Sequence, residues 1–279
     1  MKRWLTYLSA GGVLGSALVY WGVPLVLAAI GLHPSYDVPN MDMEGRRALI
    51  ITTSHPTLDP SNDATGVFAS EMTAPYYTFL DAGMEVDVAS IAGGAIPIDP
   101  SSFSWPLIST WDKRYLDDPQ FNSRVQRSYA IAQVDIEDYD IVFLAGGWGA
   151  AYDFAQSPVL GDKLSEAYAA RAVVGGVCHG PLGLLQAVTP EGKPLVKGRR
   201  MTAVTDKQLE ELSIGFTPKH PERDLRAAGA VFEAETGFRD FFANHVVVDG
   251  RVVTGQNQNS GAETAHRMME VLLTERDQE

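Results

Sequence analysis

The chain has 279 residues, 45% of them hydrophobic and 20% charged, with a net charge of −13. That much apolar content supports a buried core and excludes a disordered chain, while the acidic balance repels phosphate and argues against nucleic-acid binding. Its one cysteine, Cys178, excludes an intrachain disulfide and a multi-cysteine metal site.

Residues 4–32 carry no charge. At about 1.5 Å per residue, a helix that long crosses a hydrocarbon core of about 30 Å. Residues 1–32 are therefore expected to form a single-pass transmembrane anchor. Lys2 and Arg3 would hold the N-terminus inside, with the catalytic domain outside the cytoplasm. Val26-Leu27-Ala28 also fits the cleavage site of a signal peptide. Residues 33–45, polar and proline-containing, read as a linker, which leaves 46–279 as the globular domain.

Residues 48–53 (ALIITT) are a short β-branched run, the pattern of a strand buried on both faces. A helix is expected over 65–82, closed by Gly83. Strands are expected over 85–91 and 139–145, a helix over 158–170, a strand over 172–177 and a helix from Gly180. This alternation predicts an α/β fold, a parallel sheet with helices on both faces. HVVVDGRVV turns at Asp249-Gly250 and signals a hairpin; 262–273 is a closing amphipathic helix. Residues 93–135 break the alternation and read as an insertion able to cover a site.

Gly176-Val177-Cys178-His179-Gly180 follows a buried strand directly. Glycines around a nucleophile allow a tight turn that lifts the side chain above the sheet edge. A helix starting there would lower the thiol pKa and favour the thiolate. Gly146-Gly147, at another strand end, offers backbone N–H groups that, with the N–H of His179, could stabilise an oxyanion. Glu71, early in the first helix, starts above the same edge and can exchange protons with the thiol. His55, His220, His245 and His266 are scattered without metal-ligand spacing.

Together the segments TGVFASEMTAPYYTFLDAGMEVDVAS, PIDP, DYDIVFLAGGWGAAYDF, VVGGVCHGPLGLL and HVVVDGRVVTGQNQNS resemble the PfpI superfamily of class I glutamine-amidotransferase-like proteins, in particular its heat-shock chaperone and glutathione-independent glyoxalase (glyoxalase III) branch. The resemblance runs from about residue 46 to the C-terminus. It implies a flavodoxin-like fold, Cys178 as nucleophile, His179 as its neighbour and Glu71 as the carboxyl beside the thiol. It further implies an acid orienting His179 within TDKQLEEL. Glu210 fits best by count, with Glu211 and Asp206 as alternatives. Trp148 departs from the family, which commonly has histidine there, and leaves open any substrate contact expected from that histidine.

The implied activity is that of a glyoxalase III-like lyase, turning a small 2-oxoaldehyde such as methylglyoxal into a 2-hydroxy acid with no metal or redox cofactor. The expected partners are a small carbonyl substrate and, through the N-terminal helix, a membrane; a homodimer is one of the states left open. Competing readings are a stress chaperone or thiol redox sensor and, on the same Cys178 elbow, a peptidase or other hydrolase, or an amidotransferase drawing on His220-Pro221-Glu222.

Overall fold

The computed structural model describes residues 15–16, 18–27, 29, 36–213 and 216–276. β1 (Arg47–Thr52) leads into α1 (Ala69–Asp81) and β2 (Glu85–Ser90). The expected insertion supplies α2 (Thr110–Leu116), α3 (Pro119–Gln126) and the short β3 (Tyr129–Ala130). β4 (Ile141–Leu144), α4 (Pro158–Ala169) and β5 (Val173–Val177) follow. After α5 (Asp206–Glu211) and α6 (Pro221–Ala227) come the hairpin β6 (Val246–Asp249) and β7 (Val252–Gly255), then α7 (Gly261–Arg276).

The strands lie in the order β6-β7-β5-β4-β1-β2-β3, and only the hairpin pairs antiparallel. Successive side chains of a strand point to opposite faces. In β1, Ala48 and Ile50 join the layer of Met72 and Phe79 from α1 and Met268 from α7, whereas Leu49 and Ile51 meet Leu160 and Leu164 of α4. Cover on both faces is why the strands read as unbroken apolar runs.

The first helix begins four residues later than expected. Val67 instead pairs with the insertion, its N–H donating to the Pro97 carbonyl at 2.9 Å. The insertion grips the same helix further along. Thr73 donates to Asp112 (2.7 Å), Tyr77 donates to Asp118 (3.0 Å), and Tyr76 stacks on Phe121.

The expected transmembrane anchor is corrected: no helix among the described residues is long and apolar enough to cross a membrane. The stretch 18–27 is helical. Its Tyr20 carbonyl accepts a hydrogen bond from Trp105 Nε1 at 3.2 Å. The membrane partner and the single-pass, extracytoplasmic placement fall with the anchor. The rest of the apolar run lies outside the described residues.

From β1 the chain steps one way to β2, while β4 and β5 lie on the other side. Such a reversal opens a crevice at the carboxyl ends of the strands.

Candidate active site

β5 ends at Val177 and the chain turns at once. Cys178 is held at φ +58°, a left-handed conformation that costs a non-glycine residue about 1–3 kcal/mol. Its N–H donates to the Gly255 carbonyl and its own carbonyl accepts from Val204 N, both at 3.1 Å. A Cβ on Gly176 or Gly180 would collide with the Leu144 carbonyl, so the elbow closes on β4 only with glycine on both sides.

Glu71 reaches the same point from the first turn of α1 and is 1% exposed. The Cys178 thiol and the N–H groups of Gly146 and Gly147 are the polar neighbours of its carboxyl. Close approach requires Gly146: a Cβ there would lie 2.5 Å from Glu71 Oε2 and 2.7 Å from the His179 nitrogen. Oε2 has no hydrogen-bond partner among the described residues. His179 places Nδ1 3.4 Å from Cys178 Sγ, while its Nε2 is buried without a partner.

Burial dominates the proton chemistry. It pushes the Glu71 carboxyl up to about 8, although hydrogen bonding to the thiol and to Gly146 and Gly147 pulls the other way. The Cys178 thiol is raised above its ordinary value, first by burial and then by the Glu71 charge; the N–H groups of Gly147 and His179 oppose the shift. Burial, then His220, lowers His179 to about 3. At neutral pH the imidazole is neutral, and the acid and the thiol each keep a proton. The expected low thiol pKa is therefore corrected. The elbow leads into a 3-10 helix, Gly180–Gln186, and desolvation outweighs a dipole that acts only over its first turn.

Cys178, His179, Glu71 and the Gly147 N–H come together; the acids proposed to orient His179 do not join them. Glu210 is exposed, on the solvent side of α5, whose Gln208 and Leu209 face inward. Asp206 bonds His220 Nδ1 at 3.2 Å and Glu211 accepts from Phe241 N at 3.4 Å. His220 and Glu222 are likewise tied to Asp206 rather than to the cysteine.

A cavity of about 520 Å³ stands over the thiol. The insertion closes one side of it with Asp99, Ser101, Ser104 and Leu107, and Trp148 lies with its ring centroid 4.9 Å from that of His179. Gln208 and Gln258 line it as well, and sequence reasoning did not single them out. The signal was present in the polar run Gln256 to Ser260, set between an apolar strand and a helix and buried throughout. Buried polar groups require partners, and here Asn257 reaches the Asp240 carbonyl and Gln258 that of Phe241, both at 2.9 Å.

Residues 64–271 match the DJ-1/PfpI family. The chain belongs to that family. Among its relatives, the glutathione-independent glyoxalase HSP31 of Saccharomyces cerevisiae is 32% identical over 243 residues, covering 82% of this chain and 99% of the relative. Glyoxalase 3 of Candida albicans is 30% identical over 224 residues, covering 78% and 94%. Two solved structures share the architecture at 28% identity. The 24 kDa rapid encystment protein of Francisella tularensis superposes with a TM-score of 0.75 over 81% of this chain and 99% of that one. Glyoxalase III of Candida albicans does so with 0.73 over 81% and 97%. In this DJ-1/PfpI chain the elbow cysteine and the helix-borne glutamate meet under a roof supplied by the insertion.

Proposed function

We propose that this chain is a glutathione-independent glyoxalase that converts a 2-oxoaldehyde such as methylglyoxal into the corresponding 2-hydroxy acid, with Cys178 as nucleophile and Glu71 as the base. The observation that carries the reading is the Glu71 carboxyl, raised to about 8, set directly against the thiol. Catalysis by proton transfer is most efficient when the group's pKa lies near the working pH. The glyoxalase names of the relatives support the same reading.

The reaction starts from the ionised form of Glu71: as Sγ adds to the aldehyde carbon, the thiol proton passes to that carboxylate and from there to the new oxyanion, giving a hemithioacetal. The N–H groups of Gly147 and His179, already directed at the sulfur, are suited to stabilise the charge on that oxygen. Glu71, ionised again, removes the hydrogen on the carbon bonded to sulfur. Reprotonation at the neighbouring carbon through an enediol leaves a thioester. One carbon is oxidised and its neighbour reduced, so the electrons balance within the substrate. Water then cleaves the C–S bond, returning the thiol and the 2-hydroxy acid. His179, neutral at working pH, holds the sulfur in place and is too weak a base to compete with Glu71.

No lysine or arginine is among the described residues lining the cavity, so nothing there would grip the carboxylates of a glutathione adduct. Burial of the thiol also weighs against a redox sensor, which needs an exposed, acidic cysteine.

The test is lactate formation from methylglyoxal by the purified chain in the absence of glutathione. Cys178→Ala should abolish it and Glu71→Gln should lower kcat by about 10²–10⁴-fold; full activity in either variant would refute the reading.

A further inference from the structure

The cavity over Cys178 is larger and more apolar than a three-carbon oxoaldehyde requires. At about 520 Å³ it falls among pockets that hold drug-sized ligands, about 300–1,000 Å³. Leu58, Phe68, Leu107, Trp148, Leu212 and Phe241 supply apolar wall. Of the polar groups between them, Glu71 Oε2, His179 Nε2 and Trp148 Nε1 have no partner among the described residues and lie at the reacting end, while Asp99 and the two glutamines are engaged with the protein itself. Asp99 accepts from the Ser101 N–H at 2.9 Å and from Thr65 Oγ1 at 3.1 Å. Gln258 donates to the Phe241 carbonyl at 2.9 Å, and the Gln208 and Gln258 side chains bond each other at 3.4 Å. No lysine or arginine is among the described lining residues, so a carboxylate or phosphate on the substrate would find no counter-charge there.

Trp148 relates this wall to the chemistry. Its ring centroid lies 4.9 Å from that of His179, whose Nδ1 is 3.4 Å from the sulfur. A flat group carried next to the attacked aldehyde comes within reach of an aromatic surface, where offset or edge-to-face packing is favourable. We infer that the site prefers 2-oxoaldehydes bearing a neutral aromatic substituent, with Trp148 as the specificity-determining residue and Phe241 completing the wall. The inference rests on the oxoaldehyde reading above and names its substrate class.

The purified full-length chain is assayed with phenylglyoxal and with methylglyoxal, and kcat/KM is measured for each. Expected is a preference for phenylglyoxal of tenfold or more, equivalent to about 1.4 kcal/mol. Trp148→Ala and Phe241→Ala should each cut that ratio at least threefold, chiefly by raising KM for phenylglyoxal. A ratio taken within one preparation is independent of the fraction correctly folded, so partial misfolding of a variant does not obscure the result. A preference below tenfold, or a ratio that neither substitution moves, overturns the inference while turnover of methylglyoxal leaves the proposed function standing. Failure to turn over either aldehyde overturns both.

Discussion

Titratable groups gather at both ends of the central strands, but they are handled in opposite ways. At the amino ends carboxylates are paired with arginines. Arg47 reaches Asp87 at 3.1 Å and Asp138 at 3.3 Å, Arg46 reaches Asp140 at 3.0 Å, and Arg124 adds a second partner to Asp87 at 3.0 Å. These side chains are partly open to solvent. At the carboxyl ends Glu71, Cys178 and His179 are buried, and no lysine or arginine lines their cavity among the described residues. Paired charges at the first end tie neighbouring strands together. An acid kept beside a thiol without a counter-charge is held against the stability of the fold, and its raised basicity is what the chemistry uses.

Substitution at the two ends should separate these roles most sharply in turnover. Cys178→Ala should abolish lactate formation, and Glu71→Gln should lower kcat by about 10²–10⁴-fold, the usual worth of a positioned base. Asp87→Asn should leave kcat within about twofold.

Stability should move in opposite directions. The folded chain keeps a proton on Glu71 up to about 8, whereas the unfolded chain loses it near 4.5. The folded state therefore binds more protons between those values, and the stability this gives is complete below 4.5 and is lost as pH rises through about 8. Relative to Glu71→Gln, the natural chain should lose about 1.4 kcal/mol per pH unit across that window, measured by urea unfolding at several pH values. At pH 8 the variant should be the more stable protein. Asp87→Asn, which breaks partly exposed ion pairs, should instead be destabilised by about 1 kcal/mol.

Much of this arrangement is legible in the residues. Strands buried on both faces leave continuous apolar runs, and β1, β4 and β5 lie within a residue or two of their expected ends. The elbow is legible because few turns other than a nucleophile's need glycine on both sides of a polar residue. Glu71 carries no such mark; on a helix it looks like any solvated glutamate, and only the family resemblance lifts it out. Its proton, like the raised thiol, depends on desolvation by segments far apart in the chain, which local pattern cannot report. The N-terminal run reads as a span because hydropathy registers apolar residues but not the helix they form, and no helix among the described residues is long and apolar enough to cross a membrane. The acid expected beside His179 fails on helix phase: Gln208 and Leu209 turn inward, and Glu210 turns out.

Two smaller effects refine the contrast. Turnover by the natural chain should rise with pH as the buried pair gives up its proton, with kcat/KM still increasing as pH approaches 8. Glu210→Gln should change kcat/KM by less than about twofold, since an exposed carboxylate without a bond to His179 neither orients nor charges it. A large loss there would restore it as the orienting acid.

Because Cys178 is the only cysteine in the chain, its titration can be followed without interference, and the coupling to Glu71 is most directly tested by the pH dependence of its alkylation by iodoacetamide. Expected is a midpoint above that of an ordinary thiol in the natural chain, shifting to lower pH in Glu71→Gln while turnover is lost. A midpoint at or below the ordinary value, or one that Glu71→Gln leaves in place, would contradict that coupling.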